Sequence, residues 1–434
     1  MNTMTLHLGA GPASDARESR LVLLGTGGVG RAFVQRHQRL LASGHALPGL
    51  EVVANSRGWS RCAGVVVDTL RRVDALPRSI GAVAVPDAGW CAGDVVVDAT
   101  ASDAIAGRHA AWLERGIHVV TANKLGLGAT LSRASDVQQA AAHSGASYGD
   151  SATVGAGLPV LRSLRALRAG GDRIHSIEGV LSGSMAWLFR SFDGTQPFSA
   201  LLQRAQADGY TEPDPRIDLG GEDIRRKLLI LARAVGVPLE AADVQVESLV
   251  PAALLDRSDD ALALPWSTLD APMATRLQQA RAQGRMLCVV GRLDFQGDTV
   301  SHASVGLRGL PSLHPLSGGI GTDNRVAIHS CRYRAQPLLI QGPGAGADVT
   351  AAALLDDVAR IARGADSARD HLEGWQSHQV AVEGLRPVDR KTLGVVDAQF
   401  RQGGAHGFGF GVLGNRALVQ QVRDPRDRAH HFGG

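Results

Sequence analysis

Lysine is nearly missing from this chain. Of 45 basic residues only Lys124, Lys227 and Lys391 are lysines, leaving 42 arginines. A compositional bias that fills generic basic positions with arginine explains the shortage. The three lysines are either leftovers of that bias or are kept for a reason, and context decides. Arginine stays protonated at any working pH, whereas a lysine ammonium is tuned by burial and can give or take a proton. Cysteine is scarce too. Cys62, Cys91, Cys288 and Cys331 stand far apart without a CxxC pair, which argues against a zinc site or a disulfide framework and fits a reducing cytoplasm. No apolar run approaches the ~18 residues that span a bilayer, and the N-terminal stretch lacks a basic region followed by an apolar block. Neither membrane insertion nor secretion is expected. A net charge of +3, with 44% apolar and 20% charged residues, excludes wholesale disorder and a surface built to coat nucleic acid. A length of 434 residues suits two or three domains with substantial cores.

What is present starts with a strand, a glycine turn and a helix. Residues 21–24 are apolar, Gly25-Thr26-Gly27-Gly28-Val29-Gly30 follows, and residues 31–36 read as helix. Gly25, Gly27 and Gly30 fit the dinucleotide fingerprint: a tight turn, a backbone close enough to touch pyrophosphate, and close helix-to-strand packing, with the helix N-terminus facing the anion. A second strand over residues 50–54 comes at the spacing of the ribose reader. It ends in Asn55-Ser56-Arg57 instead of Asp or Glu, so a guanidinium is available for a 2′-phosphate and NADP is expected over NAD. Strands over residues 94–98 and 117–121 end in Ala99-Thr100-Ala101-Ser102 and Ala122-Asn123-Lys124. Ligands of an open parallel sheet sit beyond the carboxyl ends of its strands, which directs Thr100, Ser102, Asn123 and Lys124 into one crevice. Thr100 and Ser102 also suit the cap of a helix over residues 104–115.

From about Ser151 the pattern changes to that of a second domain, a sheet plus helices. The turn Val154-Gly155-Ala156-Gly157-Leu158-Pro159 opens a helix over residues 160–169. A strand over residues 174–180 ends in Leu181-Ser182-Gly183-Ser184, and helices over residues 185–192 and 198–208 follow. Residues 208–227 then hold six carboxylates, with two prolines and paired glycines that force a loop before a helix over residues 222–235. Asp223 and Lys227 share a face of that helix at i and i+4. An exposed pair there contributes only ~0.3 to 0.5 kcal/mol, but a lysine retained on a helix entered from a carboxylate loop suits another task. Carbonyl reduction needs a proton donor beside the oxygen as hydride arrives, plus an anion for a substrate ammonium. Lys227 and Glu212 are groups of those two kinds. Strands over residues 286–292, 300–306 and 326–330 come next, followed by another strand, a glycine turn and an apolar-striped helix over residues 349–362 fit to pack back on the first domain. The tail beyond Gly364 is rich in Arg, Gly and His and is left unassigned; His406, His430 and His431 read as solvated tail residues instead of metal ligands.

Taken together, the motifs over residues 20–364 resemble the homoserine dehydrogenase family, in the form found in plants and in bifunctional bacterial enzymes. The carriers are Gly25 to Gly30, Thr121-Ala122-Asn123-Lys124, residues 153–159, 181–184 and 341–350, Gly321-Thr322-Asp323-Asn324 and, most specific of all, GYTEPDPRIDLGGEDIRRK at residues 209–227. The resemblance implies an α/β fold: a Rossmann dinucleotide-binding domain (18–152), an α+β substrate and dimerisation domain (153–345), a returning helix (346–364) and the tail (365–434). It implies NAD(P)-dependent interconversion of L-aspartate 4-semialdehyde and L-homoserine, toward threonine and methionine, by a cytoplasmic homodimer or larger homo-oligomer.

By motif position Lys227 corresponds to the family's proton donor and acceptor, Asp223 to the carboxylate beside it, and Glu212 to the binder of the substrate amino end. Asp218 and Ser184 lie with Glu212 in the substrate site. Lys124 corresponds to a lysine that contacts the nicotinamide and assists proton transfer. Gly25, Gly27, Gly28, Val29, Gly30 and Thr100 match the family's cofactor contacts, and Arg57 and Ser102, read from their places at strand ends, are expected beside them. A sodium ion is implied at the backbone carbonyls of Val154, Ala156 and Leu158. Three positions depart from the family pattern: Ser151 replaces the acidic ion ligand, with Asp150 adjacent; Ile217 replaces a carboxylate; and Ser184 replaces a threonine. They leave open a paralogue acting on another amino-acid aldehyde or alcohol. A non-catalytic nucleotide-binding protein would have no need of titratable lysines opposite the cofactor cleft. Neither an aspartate kinase segment nor an amino-acid-binding regulatory domain is read in the sequence, so feedback by threonine is not expected.

Overall fold

Residues 19–63, 66–77, 87–255 and 265–364 are described by the computed structural model; Lys391, His406, His430, His431 and the rest of the tail lie outside the described residues. Residues 21–24 of the first strand, β1 (Arg20–Leu24), are at most 2% exposed. Such an unbroken apolar run marks a parallel strand covered on both faces. It lies between β2 (Gly49–Asn55) and β4 (Val95–Asp98), and the sheet continues through β5 (His118–Thr121) to β6 (Tyr148–Gly149). All these pairings are parallel. The strand β3 (Gly58–Arg61) alone runs antiparallel, as a hairpin partner of β2, and the sequence pattern did not announce it. The expected helix over residues 104–115 is two helices, Asp103–Ala106 and His109–Glu114. At the junction Gly107 carries no side chain to hold the helix, and Arg108 N bonds back to Ile105 O, a tighter i to i−3 step.

The second sheet has the order β12-β11-β7-β9-β10-β8, from β7 (Ile174–Val180), β8 (Gln245–Val246), β9 (Arg285–Gln296), β10 (Thr299–Pro311), β11 (Asp323–Ser330) and β12 (Leu338–Pro343). It is antiparallel except where β8 joins β10. The helix Glu222–Ala234 lies on this sheet at a glycine: a Cβ on Gly291 would stand 2.8 Å from Ile224 Cγ2 and 3.2 Å from Leu228 Cδ2. That close approach lets Ile224, Leu228 and Leu231 bury completely while the other helix face looks toward the first sheet's loops.

The chain then returns. Helix Ala347–Ala362 buries Ala351, Leu354, Leu355 and Val358 in one cluster with Leu21, Leu23, Phe33 and Val34 of the first sheet and its first helix. No helix among the described residues is long and apolar enough to cross a membrane. Leu354 is 0% exposed, so Leu354→Ala should lower the unfolding free energy in a urea titration by about 2–5 kcal/mol. A loss below about 0.5 kcal/mol, the scale of surface changes, would contradict this packing.

Candidate active site

The strands β1, β4 and β5 end level: Ala99 N donates to Leu24 O (2.8 Å) and Ala122 N to Asp98 O (3.0 Å). Their three following turns therefore share one edge, as the sequence expectation for Thr100, Ser102, Asn123 and Lys124 required. Gly25 adopts φ +102°, and a Cβ there would lie 2.7 Å from Ala99 O; a Cβ on Gly30 would lie 1.9 Å from Gly25 O. Only glycine closes this turn. Helix Gly28–Ala42 starts behind it with no side-chain cap, which leaves its first N–H groups for an anion. Ser102 does cap its helix, accepting from Ile105 N, and Thr100 donates its hydroxyl to Asp98.

At the end of β2 the Asn55 side chain accepts from Arg57 N (2.8 Å) and Gly58 N (3.3 Å) and so forms the turn into β3. The Arg57 guanidinium donates to Leu76 O at 3.2 Å. Beside it Asp74 collects Thr26 Oγ1 (2.6 Å), Asn55 Nδ2 (3.0 Å) and Arg31 (2.5 Å). Arg31 and Asp74 thus stand at this corner without having been singled out in the sequence, because arginine is too common there to be informative and Asp74 arrives from a separate helix, Val66–Ala75.

The second half of the site comes from the other sheet. Lys227 is buried, with Nζ 2.7 Å from Asp223 Oδ2 and 2.7 Å from Leu181 O; Lys124 Nζ stands 3.3 Å from the other Asp223 oxygen. Two of the chain's three lysines therefore share one carboxylate. Burial pushes the Lys227 pKa down, Asp223 opposes this, and the Lys124 charge adds to the lowering. Burial by itself would raise the Asp223 carboxyl, but the Lys227 and Lys124 ammoniums outweigh it and hold the group well below the usual carboxylate range. Asn324, wholly buried, donates to the same Leu181 carbonyl at 3.2 Å. It belongs to the Gly321–Asn324 motif, but no spacing rule connects it with residues 181 and 227.

The turn after Leu181 reaches the substrate loop as well. Ser184 Oγ donates to Asp218 Oδ1 (2.6 Å), and Glu212 N donates to Asp218 Oδ2 (2.8 Å). Burial raises the Asp218 pKa against these two hydrogen bonds. The Glu212 side chain is exposed, and so is Ile217. Serine in place of threonine at residue 184 keeps the hydroxyl that holds Asp218.

The turn expected to hold sodium lies beside two buried carboxylates, Asp150 and Asp357. Ala156 has φ +48°, the one positive φ outside glycine among the described residues. Ser151 donates its Oγ (2.7 Å) and N (2.9 Å) to Asp357, which also pairs with Arg360, while Asp150 takes both terminal nitrogens of Arg165 at 2.7 and 2.6 Å. The Leu158 carbonyl accepts Val160 N at 2.8 Å. Both carboxylates are bound to guanidiniums, which leaves the backbone carbonyls of Val154, Ala156 and Leu158 as the oxygens an ion would meet at this turn. No step below passes through an ion.

A bare glycine turn at the edge of the first sheet and, reached from that edge through Lys124, a buried carboxylate-linked lysine can together serve hydride transfer coupled to proton transfer. Sequence comparison agrees with it. Residues 25–148 match the family model described as the NAD binding domain of homoserine dehydrogenase, and residues 159–359 match the homoserine dehydrogenase model itself. Homoserine dehydrogenase of Emericella nidulans is 34% identical over 79% of this chain and 97% of its own length. The chain belongs to the homoserine dehydrogenase family. A bifunctional aspartokinase/homoserine dehydrogenase of Escherichia coli is 43% identical over 62% of this chain, which spans only about a third (33%) of that relative. Among solved structures, a Candida auris protein of unknown function superposes with a TM-score of 0.69 at 33% identity, over 80% of this chain and 98% of that one. Because Asp223 supports the charged form of Lys227, Asp223→Asn should move the Lys227 titration to lower pH in [13Cε]lysine NMR. An unchanged or higher midpoint would contradict the electrostatic pairing.

Proposed function

We propose that this chain is an NADP-preferring homoserine dehydrogenase, interconverting L-homoserine and L-aspartate 4-semialdehyde in the threonine and methionine branch of amino-acid biosynthesis. The observation that carries the reading is the buried Lys227 ammonium, held between Leu181 O and a carboxylate that it shares with Lys124. When bound, the nicotinamide accepts or returns the hydride. In oxidation the substrate O–H proton goes to Lys227 Nζ as the carbon loses hydride and the C=O bond forms; in reduction Lys227 gives that proton back. Asp223 keeps the lysine in place through either half. The exposed Glu212 carboxylate receives the substrate ammonium, and Asp218, fixed by Ser184, keeps the Glu212 backbone in register.

Gly25, Gly27, Gly28, Val29 and Gly30 would receive the pyrophosphate, Thr100 and Ser102 would border the dinucleotide, Lys124 would face the nicotinamide, and Arg57 would meet the 2′-phosphate. The same reading makes the chain a cytoplasmic homodimer, with Leu313 and Ile320, 96% and 83% exposed, as apolar side chains for a second copy to cover.

Purified protein should reduce NADP with L-homoserine more efficiently than NAD, and Arg57→Ala should narrow the difference. Lys227→Arg, which keeps the charge but cannot release a proton, should lower kcat by about 10²–10⁴-fold. Oxidation requires the free amine, so its rate should rise with pH along a limb below that of an ordinary lysine, and semialdehyde reduction should fall along the same limb. Intact NADPH binding with no turnover of homoserine would overturn the substrate assignment.

A further inference from the structure

Beneath the cofactor edge lies a chain of buried polar groups that the reaction above does not use. His109 is 0% exposed; its Nε2 stands 3.0 Å from Asp98 Oδ2 and its Nδ1 3.0 Å from the Tyr148 hydroxyl. Asp98, also 0% exposed, accepts Thr100 N (2.9 Å) and Thr100 Oγ1 (2.6 Å) on one oxygen and Asn123 Nδ2 (3.0 Å) beside His109 on the other. With Tyr148 donating to Nδ1 and Nε2–H donating to Asp98, each member is satisfied, an assignment made from the bonding pattern. Burial pushes Tyr148 ionisation well up, with the Asp150 and Asp98 charges adding to it and Arg165 and Arg133 opposing, so the hydroxyl keeps its proton.

The chain ends on the loop that carries Lys124. Asn123, held by Asp98, also donates to Ser102 O (2.9 Å) and accepts Leu125 N on its own oxygen (3.1 Å). On the other side of Lys124, Gly126 sits directly on the Tyr148–His109 hydrogen bond: a Cβ there would be 2.1 Å from the Tyr148 hydroxyl and 3.0 Å from His109 Nδ1. Gly128 N then bonds back to Lys124 O at 2.7 Å. Both flanks of Lys124 therefore lean on the same buried groups.

We propose that Tyr148, His109 and Asp98 form a positioning chain that fixes Asn123 and Gly126 and thereby sets Lys124 against Asp223. An apolar trio would fill the space without the desolvation that buried polar groups cost, so what the network adds is the geometry it imposes, and among the described residues its hydrogen bonds lead to Thr100, Ser102 and the Lys124 loop. Lys124 in turn acts on Lys227, whose neighbouring charged groups are Asp223, Lys124 and Asp218. This deepens the proposed function by giving Lys124 a fixed place in it.

The three-lysine composition makes the test direct. The full chain labelled with [13Cε]lysine gives signals from only Lys124, Lys227 and Lys391, assigned by single Lys→Arg variants. Tyr148→Phe removes one hydrogen bond at nearly constant volume. Lys124 should then be less closely held, the Lys227 midpoint should move to higher pH as the repulsion weakens, and kcat/KM should fall roughly tenfold, within what ~1 Å of misplacement produces. In a Lys124→Ala background the same change should leave the Lys227 midpoint where it is. If Tyr148→Phe fails to fold, Gly126→Ala, which presses on the hydroxyl and deletes no polar group, should give the same upward shift. An unmoved Lys227 midpoint, or an equal shift with Lys124 absent, would overturn the proposal. The titrations are read without substrate, so absent homoserine turnover would count against the proposed activity and leave this inference standing.

Discussion

A cation enters a protein interior only with partners, because an unpaired buried charge costs several kcal/mol in lost hydration. Lys227 meets that constraint with a carbonyl and a carboxylate, Leu181 O and Asp223, each 2.7 Å from Nζ. Most of the site's architecture follows from supplying those two groups. Leu181 must come from the end of β7, Asp223 from one turn earlier on the lysine's own helix, and the helix must lie close enough to the sheet to bring them together. Gly291 provides the clearance for that approach. Because burial by itself favours the neutral amine, a lysine here is drawn toward releasing its proton, whereas an arginine would stay charged.

The cleft is held by few connections. Asn324 shares the Leu181 carbonyl with Lys227, and Gly344 lies so close that a Cβ would be 2.0 Å from Asn324 Cγ. That glycine belongs to the loop after β12, which leads into helix Ala347–Ala362 on the first sheet. One stretch of chain thus touches the support of Lys227 and then returns to the first sheet. Farther along that helix, Asp357 fixes Ser151 through two hydrogen bonds. The turn at residues 151–158 is thereby anchored at its start by an aspartate–arginine pair.

The pattern of residues made the first sheet readable because its strands are short apolar runs ending in glycine or small polar groups, and a parallel strand covered on both faces has few other ways to look. Helix Glu222–Ala234 was readable because its entry loop is rich in proline and glycine and its charged pair has i, i+4 spacing. The hairpin strand β3 was not, since four residues of alternating exposure at a sheet edge carry little signal. Arg31 and Asp74 were missed, and Asn324 was named only as part of a motif, for a different reason: each acts through a partner distant in sequence, and no local period encodes such a meeting.

The sequence by itself determined which chemistry was available: a bare glycine turn for pyrophosphate, a lysine one helical turn from a carboxylate in a chain with 42 arginines, and a loop of acids before a helix. These are local facts, fixed by residue type and spacing. Tertiary structure alone decided that Lys124 and Lys227 share Asp223, that Asn324 stands behind Lys227, and that Asp150 and Asp357 are committed to Arg165 and Arg360. Each of these depends on where two sheets and a returning helix place groups far apart in the chain. Distance and burial set the strength of a charge interaction, and both arise only once the chain has packed.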